Sequence, residues 1–548
     1  MSSPDPEFSS QELDILGCHF SNVDEPVFAL TDLPDVVKGA LFARYSRSPK
    51  SLRRLFLDEF YQDGLVTPPP PIERLASAGD TGVGRAEELY ERMLVEYGDD
   101  SVAQLVGVHI AVEDASNILT KILEWGRLLS YLEQSTRYIP YNQKKDGGWR
   151  YHVPAEIAAP QLRARYTSVM DACFETYTAW FERVEEHLRE TFPRGEADTK
   201  TAYRLSIRAK TCDILRGLLP AATTASVGIF GSAQAFEALL LRLQDHPLEE
   251  ARVTGERILR ELREVIPVFM RRVDREDRGR EWSRYLRQAS EDTAGATSRL
   301  LAGVSPEAAA GPYVRLTDFD ADGEVKVLAA AMYSHAGLDD ATLLERARQL
   351  TPPERARLLE AYVGNRTNRR HKPGRAFERT SYRFEIVTDY GAFRDLQRHR
   401  MLTLDWQPLS PHLGFDVPPE MEELGGGEDW RRVMAECASL YGELQAAGLA
   451  IVAPYSLPMS YRVRFYMQMN AREAMHLIEL RTSPQGHPAY RWVGQEMLDR
   501  IRDHAGHRAI AAAMRFADME GAGGLERLAA EQRKEERITA LSRGNVPA

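Results

Sequence analysis

Two widely separated stretches of this 548-residue chain follow one pattern. Leu30-Thr31-Asp32-Leu33 precedes Val37-Lys38-Gly39-Ala40-Leu41-Phe42-Ala43-Arg44-Tyr45-Ser46. Leu316-Thr317-Asp318-Phe319 precedes Val325-Lys326-Val327-Leu328-Ala329-Ala330-Ala331-Met332-Tyr333-Ser334. Each time a short strand-like piece leads through a turn into an apolar helix. A repeat at so long an interval means two copies of a whole domain, not a solenoid of short units. The length agrees, because a single hydrophobic core stops growing beyond about 250–300 residues. The Ala-, Gly- and Pro-containing stretch 302–312 is the expected linker between a first domain over 26–301 and a second over 313–520. Residues 1–25 are expected to form a flexible lead. Residues 521–548 are expected to form a charged tail, within which 525–541 can make a solvated helix.

Both copies read as helix-rich. The stretches 102–132 and 430–450 are apolar-periodic and free of proline, and 162–191 and 248–271 have the pattern of long amphipathic helices. Strands are fewer, with 313–317 and 381–387 showing the expected clustering. The expected fold class is α+β, helix-rich, with small and mainly antiparallel sheets.

Composition narrows the function. Hydrophobic residues at 43% and charged residues at 28% give ample core for a globular protein. No apolar run approaches the roughly 20 residues that span a bilayer, so no membrane partner is expected. The acidic, polar start is unlike a secretory signal, which makes the cytoplasm the expected location. A net charge of -11 argues against broad nucleic-acid binding, which needs surplus Lys and Arg facing phosphates. It leaves room for a small anion held by a few local arginines. Cys18, Cys173, Cys212 and Cys437 form no Cys-x-x-Cys pair, so neither a disulfide framework nor a metal site is expected.

Three groups of residues carry candidate chemistry. Arg127, Ser130, Glu133, Ser135 and Arg137 crowd together in the first half, with Arg216-Gly217-Leu218-Leu219-Pro220 downstream. Arg137 and Arg216 suit a phosphate, Glu133 can orient a sugar or base, and Ser135 can donate hydrogen bonds. In the second half Arg398-His399-Arg400 offers adjacent donors for a phosphate or an electron-rich ring edge. Asn470, Arg472, His476 and Arg481 fall on roughly one side of a helix and can grip a planar heteroaromatic. Taken singly, each group also reads as a solvated helix face or surface basic cluster.

Their order along the chain points further. Residues 125–137 resemble, without a gap, the signature of flavin-dependent thymidylate synthases, Arg-His-Arg-x-x-Ser-x-Asn-Glu-x-Ser-x-Arg. Arg127, Ser130, Glu133, Ser135 and Arg137 match it, whereas Trp125, Gly126 and Leu132 depart from it. The stretch 101–124 is similar to the helix that carries this signature, with Ile122 a departure. Residues 215–220 are similar to the family's Arg-x-Val-Leu-Pro segment. In the second half, 374–379 resembles the Phe-Glu-His segment with Arg379 for histidine. Arg398-His399-Arg400, Met469-Asn470-Ala471-Arg472 and Leu480-Arg481 follow in the family's order.

The resemblance implies a flavoprotein that makes thymidylate from deoxyuridylate, with FAD, methylenetetrahydrofolate and NADPH. It assigns nucleotide binding to Glu133, Ser135, Arg137, Arg216 and Arg481, and flavin binding to Arg398, His399, Arg400, Asn470, Arg472 and His476. No enzyme nucleophile is implied, and no catalytic residue is assigned. The first copy thus keeps the nucleotide side and the second the flavin side. Trp406, Pro408, Ser410 and Ala450 stand where the second copy has lost its nucleotide-side positions. The expected assembly is a homodimer imitating the family's four-domain arrangement, with one composite site per chain. The alternative is a non-catalytic nucleotide- or flavin-binding protein on a decayed scaffold.

Overall fold

The computed structural model describes residues 8–33, 35–45, 48–61, 104–196, 198–304, 311–521, 523–532 and 535–536. The chain divides into two compact units that cut across the sequence halves. One comprises 1–112, 126–132 and 227–303, and the other 113–125, 133–226 and 304–548.

In the first unit, helix α1 (Ser10–His19) opens with a capping box in which Ser9 and Glu12 satisfy each other's backbone donors. Leu16 and His19 are buried, so part of the 1–25 lead is packed. Helix α2 (Asp35–Tyr45) realises the apolar helix of the first repeat. The long helix expected over 102–132 is instead strand β1 (Gly107–Ser116), helix α3 (Asn117–Leu123) and strand β2 (Ser130–Glu133), with 101–103 outside the described residues. Val108, Ile110 and Val112 alternate with more exposed neighbours, the period of a half-buried strand. Ser116 then caps α3 by accepting from Leu119 N.

Helix α4 (Pro160–Thr191) and helix α5 (Lys200–Leu215) follow, then a single 3-10 turn at Arg216–Leu218 and strand β3 (Thr224–Ser232). Helix α6 (Ala233–Gln244) comes next. The helix expected over 248–271 is two, α7 (Glu249–Val265) and α8 (Pro267–Asp274), because Pro267 has no N–H to continue the ladder. Helix α9 (Glu281–Leu300) completes the first half. Residues 305–310 of the expected linker lie outside the described residues.

The second half contributes strand β4 (Tyr313–Phe319), helix α10 (Gly323–Ala336), strand β5 (Ser381–Asp389), helix α11 (Tyr390–Leu396) and strand β6 (Thr403–Trp406). Helix α12 (Gly427–Ala446), strand β7 (Arg462–Asn470), helix α13 (Ala471–Arg481) and helix α14 (Pro488–Asp499) follow. The sheet runs β4-β5-β7-β6 and is antiparallel throughout, with Ser381 opposite Asn470 and Thr403 opposite Gln468. The first-half sheet has the order β1-β3-β2, which is the order of β5-β7-β6. The repeat is therefore a repeat of topology: strand, helix, short strand, long helix, strand, helix. The fold is α+β and helix-rich, as the sequence implied.

Within the second unit, equivalent pieces of the two copies meet. The Tyr390 hydroxyl at the start of α11 donates to Asn117 O at the start of α3, at 3.0 Å, and Gln397 Nε2 donates to Lys121 O at 2.8 Å. Long helix α4 packs on its counterpart α12, bringing Cys173 Sγ and Cys437 Sγ to 3.4 Å in the core. Leu219-Pro220 lies against Leu457-Pro458 through Ala221 N to Leu457 O and Met459 N to Leu219 O. The start of the C-terminal tail is packed too: Arg527 is buried, with its guanidinium 4.1 Å from the Tyr138 ring centroid. Residues 537–548 are outside the described residues. No described helix is long and apolar enough to cross a membrane.

Candidate active site

Glu133 ends β2 with its side chain fully withdrawn from solvent. Three cations converge on it. Arg394 Nη2 donates to one carboxylate oxygen at 2.7 Å, and Arg398 Nη2 and Lys121 Nζ donate to the other at 2.7 and 3.2 Å. Burial alone would raise its pKa, but the charges of Arg394, Lys121 and Arg398 outweigh burial and hold the carboxyl well below the usual range. Lys121 also pairs with Glu124, a carboxyl that burial pushes up. The first-half signature residue and the opening arginine of the second-half triplet are thus one ion pair inside one compact unit.

The arginines assigned to the nucleotide sit nearby, each already held by a carboxylate. Arg137 is buried and grips Asp213 through Nε and Nη2 at 2.6 and 2.7 Å, while it also donates to the Tyr490 hydroxyl and to Gln485 O. Arg216 Nη1 donates to Asp395 Oδ2 at 3.1 Å. Its Nη2 is buried with no hydrogen-bond partner among the described residues. The Asp395 carboxyl is held below its ordinary range because Arg398, Arg216, Arg137 and Arg481 outweigh its burial. Ser135 is half-buried and its hydroxyl accepts from Arg137 N at 3.3 Å, fixing the turn that carries both.

The residues that the resemblance assigns to the flavin lie on and around helix α13. Asn470 is the N-cap of α13, accepting from Glu473 N at 2.9 Å. Arg472 donates to Pro373 O at 2.9 Å and to Glu378 at 3.3 Å. Arg481 Nε donates to His399 Nε2 at 3.0 Å, so the ring proton lies on Nδ1, which donates to Glu473 Oε1 at 3.0 Å. Burial, then the Arg481 charge, keeps His399 neutral. The His476 ring lies 5.4 Å from that of His399, and burial depresses its pKa to about 4. His399, Glu473 and His476 have ligand atoms within 4.8 Å of one another, but both His399 nitrogens are engaged in hydrogen bonds. Arg400 is half-buried beside this group in sequence.

The structure therefore joins Glu133 with Arg398, Arg216 with the α11 carboxylate three residues before Arg398, and Arg481 with His399. Arg472 faces the 373–378 segment instead, and Asn470 caps α13. Arg127 and Ser130, which also match the signature, are exposed in the 126–132 segment of the other unit. Trp125, at the lost start of the first signature, is half-exposed and donates from its indole to Leu404 O at 3.2 Å. Sequence reasoning missed Lys121, Arg394, Asp395, Asp213 and Glu473. The signal for two of them was present: Lys121 and Arg394 occupy the same place in the two copies, four residues before Trp125 and Arg398. Charged residues inside short apolar helices are buried only when paired.

A cleft of about 270 Å³ opens beside the nucleotide-side group, with Asp213, Arg216, Trp430, His487 and Leu525 among its walls. His487 is neutral there, because burial and then the Arg216 charge depress its pKa to about 3.

Comparison with known proteins agrees with this two-copy arrangement. The family model described as "Thymidylate synthase complementing protein" matches the chain twice, over residues 65–268 and 315–505. A UPF0159 protein of Chlamydia muridarum is 35% identical over 529 residues, spanning 94% of this chain and 97% of that protein. A flavin-dependent thymidylate synthase of Mycolicibacterium gilvum is 27% identical over 186 residues, 32% of this chain and 66% of that enzyme. A UMP/dUMP methylase of Streptomyces cacaoi, solved with 5-Br dUMP, is 22% identical over 39% of this chain and all of its own, with a TM-score of 0.30. The chain belongs to the thymidylate synthase complementing protein family and carries that family's domain in tandem, in divergent form.

Proposed function

We propose that the chain is a flavin-dependent methylase of a pyrimidine nucleotide, working at one composite site per chain, with deoxyuridylate to thymidylate as the reference reaction. The observation that carries the reading is the Glu133–Arg398 pair at 2.7 Å. Each residue is the surviving half of a signature whose other half is lost in the same copy, and the two survivors form one part-buried contact. The curated flavin-dependent thymidylate synthase relative supports the chemistry.

The residues on the second-half side fit FAD by their chemistry. Arg398 has a third of its side chain exposed and a buried Nε with no hydrogen-bond partner among the described residues, and neutral His476 offers a ring edge. Arg398, His399, Arg400, Asn470, Arg472 and His476 would hold the cofactor. When bound and reduced by NADPH, the flavin would supply the hydride that turns a methylene unit from methylenetetrahydrofolate into a methyl group. The chain's own part is binding and orientation. Arg137, Arg216 and Arg481 fix the nucleotide, which removes much of the entropic barrier to the transfer. Glu133 and Asp395 hold Arg398 and Arg216 in place, and donors around the base stabilise the charge that develops on it. The proposed assembly is a homodimer.

Flavin absorbance of the purified or reconstituted protein tests the reading. Release of tritium from C5 of labelled deoxyuridylate then separates a methylase from a protein that only binds. Colourless protein that refuses FAD would overturn it.

A further inference from the structure

Residues 366–373 are fastened along the face of α13 that carries Arg472 and His476. Arg366 is buried and bidentate on Glu479, at 2.6 and 2.8 Å, and it also donates to His371 O. At the other end Arg472 Nε donates to Pro373 O at 2.9 Å. Arg472, His476 and Glu479 share one helix face at i, i+4 and i+7, so the two fastenings lie about two turns apart with His476 between them. The turn inside the segment is held by its own side chains. Arg370 N donates to Asn368 Oδ1 at 2.9 Å, and the Asn368 amide is bonded to the His371 ring at 3.0 Å.

This fixed turn presents three cations without counter-charges. Arg369 is half-buried, Arg370 and Lys372 are exposed, and among the described residues none of the three side chains makes a hydrogen bond or ion pair. The carboxylates bonded into this region all serve other groups. Glu479 holds Arg366, Glu473 accepts from His399, Glu378 holds Arg375 and Arg472, and Asp340 holds Arg379. The cations also lie close to the flavin-assigned histidines. His476, kept neutral chiefly by burial, feels the charges of Lys372 and Arg369, and His399 feels that of Lys372. A positive turn of this kind attracts an anionic part of a ligand.

We infer that the turn Arg369-Arg370-His371-Lys372 is a diphosphate-binding element that grips the anionic diphosphate of FAD and makes the site select FAD over riboflavin. Arginine gives paired hydrogen bonds to phosphate oxygens, and lysine adds a point charge. Because the turn is fastened beforehand, little ordering cost is left for binding. Residues 369–372 lie outside every motif segment that carries the family resemblance, so the element belongs to this chain's own design. The inference rests on the flavin reading above and adds the cofactor's phosphate end to it.

Equilibrium dialysis of the full chain, stripped of flavin, against FAD and against riboflavin tests it. The comparison is with a combined Arg369→Gln, Arg370→Gln, Lys372→Gln variant, whose lost side-chain groups bond to nothing in the described fold. The unmodified chain should bind FAD roughly tenfold or more tighter than riboflavin, and the gap should narrow as salt rises. The variant should lose most of that gap through weaker FAD binding while its riboflavin affinity stays the same. Unchanged FAD affinity in the variant would overturn the inference and leave the flavin reading standing. An equal loss for riboflavin would overturn it too, because the turn would then shape the pocket without holding the diphosphate. Riboflavin bound as tightly as FAD by the unmodified chain would overturn it whatever the variant's folding. Failure of the unmodified chain to bind either flavin would overturn the inference and the flavin reading together.

Discussion

Glu133→Gln is the most informative single change. The substitution preserves shape and one acceptor oxygen but removes the charge that holds Arg394 and Arg398 at 2.7 Å and Lys121 at 3.2 Å. At an effective dielectric of about 20, a unit-charge pair at 2.7 Å attracts by roughly 6 kcal/mol. Desolvation of the ions already offsets most of that in the native state. What the substitution leaves behind is a set of buried cations short of one counter-charge, a change that costs about 3–5 kcal/mol. At roughly 2 °C per kcal/mol for a large chain, the thermal midpoint should fall by about 6–10 °C. Circular dichroism and tryptophan fluorescence on heating would read it. Because Arg394 comes from the second copy, the pair gives a double-mutant cycle across the two halves. Arg394→Met in the Glu133→Gln background should cost less than alone, with a coupling of about 1–3 kcal/mol. Additive effects within about 0.5 kcal/mol would show that the two residues do not act as a pair, and the composite-site reasoning would lose its physical basis.

Further outcomes follow from the same geometry. His399→Ala and Arg472→Ala should each release flavin, read as loss of visible absorbance after gel filtration, whereas Ser135→Ala should retain it. Gly217→Ala would place a Cβ 2.7 Å from the Trp430 ring and 3.1 Å from Ser460 Cβ, so unfolding in urea should show destabilisation of about 1–3 kcal/mol. His476 and His487 have folded pKa values depressed to about 4 and about 3, both chiefly by burial. The unfolded chain then binds more protons below about pH 6.5, so stability should be full above that pH and fall as pH drops toward 3–4. The midpoint of thermal unfolding measured from pH 8 to pH 4 should therefore decline on the acid side, and a flat profile would contradict the neutral, buried assignment.

Much of this architecture was legible in the sequence. The repeat of an apolar helix after a short strand became α2 in one copy and β4 with α10 in the other. The helical periods of 162–191 and 430–450 became α4 and α12, with boundaries close to those read. The errors have local causes. Val108, Ile110 and Val112 satisfy a strand's period of two, and a mainly apolar run there hides the difference from a buried helix. Pro267 ended a helix whose amphipathic pattern ran straight through it.

The site was legible only in part, for a different reason. Glu133 and Arg398 could be named because each retains part of a signature. Asp395 and Arg394 lie in a helix whose residues are all buried, between Phe393 and Leu396, where pattern reading expects core. Their meaning depends on partners far away in sequence: Arg394 on Glu133, and Asp395 on Arg216. Asp213 was invisible likewise, because only folding places it against Arg137. Burial of charge is a pairwise property, and a single position in one sequence does not carry it.

Flavin stoichiometry tests the central claim most directly. Protein reconstituted with FAD, freed of excess ligand and quantified by absorbance against total chain, should hold one flavin per chain. Two per chain would mean that each copy keeps a site of its own, and none would mean that the rejoined halves do not make a flavin site.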